Sequence, residues 1–194
     1  MSSVIAAVST GNQISAIGIL RLTGEGCAQV AGKVFALNSG LPLWEAPNRK
    51  LVLGTLKDTK GRVIDQCMAV YTRAPHTYTG EDTVEFHCHG SPAVLAAGLE
   101  ALYLAGAKPA TRGEFTKRAF LNGKMDLSRA EAVIDVINSQ NEYALDASVK
   151  QLRGSLYQEV KDLRGQILLE TAFIETALDD PEHFDLDGYG EKLK

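Results

Sequence analysis

Between Leu145 and Leu178 an apolar side chain recurs at almost every third or fourth residue: Leu145, Val149, Leu152, Leu156, Val160, Leu163, Ile167, Ile174 and Leu178, with Thr171 filling the remaining step. That period belongs to a helix face and fits no strand. The C-terminal part is therefore expected to be a long helix with a continuous seam, most easily interrupted at Gly154 and Gly165. A shorter helix precedes it, with Ala130, Val133, Ile134 and Ile137 on one face. Ser128-x-x-Glu131 and Ser139-x-x-Glu142 have the capping-box pattern, which places a break and restart near Asn138. One helix cannot bury such a seam alone, so the seam needs a partner. The acidic tail from Asp179 to Asp187 ends the helix at Pro181. The chain is expected to stop before its second domain is complete.

Upstream the periodicity changes. Val4–Val8, Ala16–Leu22, Leu51–Leu56, Val63–Tyr71 and Thr83–His89 read as strands, the third and fourth joined as an antiparallel hairpin through 57–62. Gly26–Leu37 has the spacing of a helix, with Val30, Ala31, Val34 and Phe35 on its face. A further helix starts at Pro92 and ends at Gly106. This mixture predicts an α+β fold: a mixed sheet with flanking helices over residues 1–118, then long helices over 119–194.

The chain has 194 residues, a net charge of −4 and a sequence pI near 5.6, which argues against a whole surface built for nucleic acid. Against that background, Lys108 to Arg129 carries six basic residues (Lys108, Arg112, Lys117, Arg118, Lys124, Arg129) and only Glu114 and Asp126 as acids. Such a local excess suits an anionic ligand or partner, the alternative being a solvated turn between two domains. Gly113 and Gly123 would bring the backbone close to a ligand, and Phe115 and Phe120 would anchor the loop in a core. Arg21 interrupts a mostly apolar strand, and a charge there is costly unless paired. It either reaches water at the strand end or faces a pocket and grips a carboxylate.

Three cysteines (Cys27, Cys67, Cys88) with no CxxC pair indicate neither a disulfide framework nor a zinc knuckle; a reducing cytoplasm fits. The N-terminus lacks the pattern of a signal peptide. No apolar run approaches the roughly 18 residues of a membrane span, so no membrane partner is expected. His87 and His89 alternate onto one face with Cys88 on the other, too thin a donor set for a metal, so none is assigned. Cys27 and Cys67 are expected to pack as small hydrophobes.

Taken in order, Ile5-Ala-Ala-Val-Ser-Thr10, Ile17-Gly-Ile-Leu-Arg-Leu-Thr-Gly24, Tyr78-Thr-Gly-Glu-Asp82, His89-Gly90, Arg112-Gly-Glu-Phe-Thr116, Arg118-Ala-Phe-Leu-Asn-Gly-Lys-Met-Asp126 and Ala130-Glu-Ala-Val133 closely resemble the N-terminal part of the MnmE (TrmE) family of tRNA-modifying GTPases. The resemblance implies that 1–118 is a folate-binding and dimerisation domain similar to the folate-binding domain of aminomethyltransferases. It implies that 119–194 begins a helical domain into which a GTPase domain is inserted. It further implies a homodimer, a bound tetrahydrofolate derivative (typically 5-formyltetrahydrofolate), the flavoprotein MnmG (GidA) as partner, and the wobble uridine (U34) of tRNA as target. GTP, magnesium and potassium would belong to the GTPase domain. No G-x-x-x-x-G-K-[ST] phosphate loop occurs here, so GTP hydrolysis is assigned to none of these residues.

By the same resemblance the folate contacts are Arg21, Glu81 and Lys124. A carboxylate such as Glu81 can accept the paired N–H donors of a pterin, and Arg21 and Lys124 can hold the two carboxylates of a folate tail. Two stretches depart from the family pattern: Gly11-Asn-Gln-Ile-Ser15 after the first strand, and Cys88-His89-Gly90-Ser91. A stand-alone folate-dependent aminomethyl transferase, with Asp82 or Glu114 as proton carrier, and a purely structural dimerisation module are the alternatives.

Overall fold

The computed structural model describes residues 2–11, 13–184, 186 and 188–192. Asn12 of the expected loop after the first strand, and Asp185 and Asp187 of the acidic tail, lie outside them. The chain is α+β and divides into two compact units, Met1–Met125 and Asp126–Lys194. The boundary expected at 118/119 falls inside a helix.

In the first unit the strands are β1 (Ile5–Val8), β2 (Ser15–Thr23), β3 (Phe35–Leu37), β4 (Leu51–Lys57), β5 (Val63–Thr72), β6 (Thr83–Gly90) and β7 (Lys108–Pro109). They form one sheet in the order β3-β4-β5-β6-β2-β1-β7, antiparallel throughout except for the parallel pair β1–β7, which makes the sheet mixed. β7 is too short to leave a periodic signal in the sequence. The helices are α1 (Cys27–Gly32), α2 (Pro92–Leu104) and α3 (Glu114–Leu121).

The helix expected over Gly26–Leu37 is only half present. α1 ends at Gly32, and Phe35–Leu37 pairs with β4 as the edge strand β3. Phe35 and Leu37 are buried while Ala36 between them is exposed, so period two governs where the sequence spacing mimicked period 3.6. The stretch after Arg112 is likewise helix rather than loop. Of its two phenylalanines Phe120 is exposed, and the core contact of α3 is Ala119.

One face of the sheet carries the core. Leu20, Leu22, Leu56, Ala69, Val84 and Phe86 are sealed on it with Leu95, Ala101 and Leu102 of α2. α2 lies very close to the strands: a Cβ on Gly18 would sit 2.7 Å from Leu95 Cδ1, and one on Gly98 2.6 Å from Leu20 Cδ1. Across the opposite face the register aligns Leu53, Met68, His87 and Ile19, with Val70, Glu85 and Arg21 in the next row. There Ile17, Leu51, Leu53 and Met68 remain exposed.

The second unit is helical: α4 (Leu127–Asn138), α5 (Glu142–Leu152), α6 (Ser155–Asp179) and α7 (Tyr189–Lys192). The expected single helix from 145 to 178 breaks at Gly154, whose φ of +88° glycine alone adopts without strain. Arg129 of α4 secures that break, donating to the carbonyls of Leu152 (3.1 Å) and Arg153 (3.2 Å) at the end of α5. Gly165, in contrast, stays inside α6. The two expected capping boxes are replaced by single caps: Asp126 accepts from the Arg129 N–H at 3.0 Å and Asn141 from the Ala144 N–H at 2.9 Å. Leu156, Val160, Leu163 and Ile167 of the seam are exposed. No helix among the described residues is long and apolar enough to cross a membrane.

A Cβ on Gly54 would sit 2.5 Å from both the Ala36 carbonyl oxygen and the Phe35 ring, where the β3–β4 pairing leaves no room to yield. Gly54→Ala is therefore expected to destabilise the first unit by about 2 kcal/mol, seen as a lower urea midpoint with an unchanged m-value.

Candidate functional site

The site is built where the 74–82 loop meets the C-terminal end of α3. The loop turns at Gly80 (φ +78°), and a Cβ there would press on Asn122 Cβ at 3.2 Å and on Lys124 Cγ and Cδ at 3.3 Å. Glycine thus serves twice, for the left-handed turn and for the close approach of 122–124. α3 ends in a Schellman motif: Gly123 N–H donates to Phe120 O at 3.0 Å and Lys124 N–H to Ala119 O at 2.9 Å, with Gly123 at φ +68°. The Asn122 side chain then donates to Thr79 O at 2.7 Å, and Tyr78 Oη lies 2.9 Å from Thr116 Oγ1. Two segments separated by forty residues in sequence become one surface.

Strand β2 supplies the third wall. Thr23 is wholly buried, and its hydroxyl lies 2.7 Å from Thr79 Oγ1, 3.0 Å from Asp82 O and 3.5 Å from Glu81 Oε2. Arg21, two residues back on the same face of the strand, is placed directly opposite Glu85 in the register. Its Nε donates to Glu85 Oε1 at 2.6 Å. Its guanidinium carbon stands 5.8 Å from the centre of the Phe115 ring of α3. The charge of Arg21 is paired within the sheet, and its two terminal nitrogens make no hydrogen bond to a described residue.

Glu81 repeats this half-held arrangement. Its Oε2 accepts from Arg118 Nη1 at 3.0 Å, while Oε1 has no protein donor among the described residues. Lys124 Nζ donates one hydrogen bond, to Pro75 O at 3.0 Å, leaving the rest of the ammonium open. Arg21 lies beside Phe115 of α3, Glu81 meets Arg118 of α3 and Thr23 of β2, and Lys124 meets the loop at Pro75. Each is fixed at one atom and open at another. Sequence reasoning did not single out Glu85, Arg118 or Thr23 as parts of this arrangement. The signals were weak: Glu85 shares the strand face of His87, and Arg118 follows Glu114 by one helical turn.

The basic stretch divides in the folded chain. Arg118 lies between Glu81 and Glu114, Lys124 rests on Pro75, and Arg129 holds the end of α5, whereas Lys108, Arg112 and Lys117 are exposed. Both carboxylates considered as proton carriers hold structure instead. Asp82 accepts from Tyr71 Oη at 2.6 Å and from the Ala74 N–H at 2.8 Å. Glu114 accepts from the Thr111 N–H at 2.8 Å and from Arg118 at 3.1 Å; the Thr111 N–H above all holds its carboxyl below the usual range, which keeps it ionised and unsuited to give a proton.

His87 faces Glu85 at 3.4 Å and His89 faces Asp65 at 2.8 Å, so each imidazole is directed to a different carboxylate. One ligand atom each of Asp65, Cys67 and Cys88 lies within 4.8 Å of the others. The Cys67 and Cys88 sulfurs, 3.7 Å apart, sit in the core, and the hydrogen bond between them and their burial push the Cys88 thiol far up. The two sulfurs pack side by side in the core as small apolar groups. Burial also pushes the Cys27 thiol up to about 12.

A small α+β unit with half-anchored cations and a half-anchored carboxylate, followed by a helical unit, is the class of protein that the geometry defines. Comparison with known proteins makes it specific. Residues 4–124 match the family described as the GTP-binding protein TrmE N-terminus, and residues 127–193 match the MnmE helical domain. The chain is 47% identical over its whole length to the tRNA modification GTPase MnmE of Lachnoclostridium phytofermentans, of which it covers 42%. It is 44% identical to the protein of the same description from Thermus thermophilus, over 92% of this chain and 41% of that one. The figures for Aquifex aeolicus are 42%, 92% and 39%. The chain belongs to the MnmE (TrmE) family, and it spans about two fifths of the length of these curated relatives.

Because Glu114 is held below its ordinary value of 4.5, the stability it lends is complete above that value and is lost as pH falls through the lower folded one. Glu114→Gln should therefore lower Tm by a steady amount well above pH 4.5, with the gap to wild type closing as the pH falls below that value in thermal melts.

Proposed function

We propose that the first unit binds a tetrahydrofolate derivative, 5-formyltetrahydrofolate or a close relative, at Arg21, Glu81 and Lys124. The observation that supports this reading is the common state of the three groups: each has one atom held by the protein and others left without a partner among the described residues. Groups fixed in this way lose little further freedom when a ligand arrives. The open oxygen of Glu81 suits the N–H donors of a pterin, and the terminal nitrogens of Arg21 and the ammonium of Lys124 suit the tail carboxylates. The Phe115 ring beside Arg21 offers an apolar surface to the ring system in between.

In the whole protein this unit serves a GTPase that modifies tRNA at the wobble uridine, in the cytoplasm, together with the flavoprotein MnmG. The names of the relatives support the tRNA-modifying GTPase, and the resemblance supplies the rest. GTP, magnesium and potassium act in a domain other than the two described here. The first unit pairs with a second copy, a reading supported by the open sheet face with its exposed Ile17, Leu51, Leu53 and Met68. The exposed seam of α6 awaits further helices of the family's helical domain.

Stand-alone aminomethyl transfer is less well supported, since Asp82 and Glu114 are both committed to structural hydrogen bonds. Titration of 5-formyltetrahydrofolate into the purified chain by calorimetry is expected to show binding; no heat at millimolar ligand would leave only a structural module. Glu81→Gln should weaken that binding by about tenfold. A change smaller than twofold would overturn the pterin contact.

A further inference from the structure

Arg118 has a side chain only 11% exposed, against 15% for the Glu81 it contacts, and both of its terminal nitrogens are hydrogen-bonded. Nη1 donates to Glu81 Oε2 at 3.0 Å and Nη2 to Glu114 Oε1 at 3.1 Å. Glu114 is fixed in turn at its other oxygen by the Thr111 N–H at 2.8 Å and the Thr111 hydroxyl at 3.0 Å. The result is a continuous relay of charge-assisted hydrogen bonds from the first turn of α3 to the 74–82 loop. One N–H of each terminal nitrogen is thus spent on a carboxylate, and the two bonds hold the guanidinium between Glu81 and Glu114. Its action falls on the carboxylate it holds.

We infer that Arg118 is the positioning residue for Glu81: it fixes Oε2 so that Oε1 is presented to the ligand, and Glu114 fixes Arg118. The inference rests on the folate reading above and extends it to residues that make no ligand contact. Without Arg118 the Glu81 side chain regains three rotatable bonds, and ordering them is charged against binding. A half-buried carboxylate is also left without its cation.

The test uses calorimetric titration of 5-formyltetrahydrofolate into the 194-residue chain and its variants, with thermal melts to confirm folding. Arg118→Gln should weaken binding by about tenfold or more, and Arg118→Lys should recover part of the loss, because it keeps the charge without the two-pronged reach. The deciding measurement is the double variant. If Arg118 acts through Glu81, then Arg118→Gln combined with Glu81→Gln should bind within about twofold of Glu81→Gln alone. A merely structural role would lower affinity again in the Glu81→Gln background, and that additive result overturns the inference while leaving the folate reading intact. Unchanged binding by Arg118→Gln overturns it as well. If Arg118→Gln does not fold, Arg118→Lys measured alone and in the Glu81→Gln background makes the same decision. Failure of the wild-type chain to bind 5-formyltetrahydrofolate removes the folate reading and the inference together.

Discussion

Strand β2 carries opposite demands on its two faces, and the first unit is arranged to meet both. Leu20 and Leu22 point into the core and are completely buried, with α2 so near that Gly18 and Gly98 could not bear a side chain without displacing a leucine. Arg21 and Thr23 point the other way, toward Glu85 and the 74–82 loop. Burying each of those leucines contributes roughly 2 kcal/mol. Because side chains alternate strictly, the burial that fixes Leu20 and Leu22 also fixes where Arg21 and Thr23 emerge. A slip of one residue would put a guanidinium into the core.

On that foundation the loop and α3 are joined by short-range constraints rather than by bulk. Gly80 permits close approach, the Schellman end of α3 supplies it, and Asn122 secures it with a hydrogen bond to Thr79 O. The hydroxyls of Thr23 and Thr79 satisfy one another in the buried space between. Charge is then handled by pairing. Arg21 with Glu85 and Arg118 with Glu81 and Glu114 each avoid the penalty of an isolated charge in a partly dehydrated place. Pairing on one side only leaves atoms free to recognise a ligand of the opposite sign, which is how a stabilising interaction and a binding function can use the same residue.

The second unit follows simpler rules. Its helix breaks are made by a left-handed glycine and by short polar caps, and Arg129 satisfies carbonyls that the break exposes. Its exposed seam differs in kind from the open sheet face of the first unit. The seam is almost purely apolar on a single helix, whereas the sheet face sets apolar residues around Arg21, Glu85 and His87.

Sequence by itself determined the strands β1, β2, β4, β5 and β6, the helix α2 and the helical character of the second unit, because each rests on a local period or a breaker that neighbours reinforce. It also marked Arg21, Glu81 and Lys124, through motifs matching the MnmE (TrmE) family. Tertiary structure alone decided that Phe35–Leu37 is a strand, since only pairing with β4 distinguishes two buried residues at i and i+2 from a helical face. It alone produced β7, two residues defined by their neighbour. It placed the helix caps at Asp126 and Asn141, where several polar residues in a row competed for the role. Most of all, it chose partners. Glu85 for Arg21 and Arg118 for Glu81 are separated by 64 and 37 residues, and no local pattern ties a charge to its counter-charge across such distances; only the sheet register and the seating of α3 on Gly80 bring them within hydrogen-bonding range.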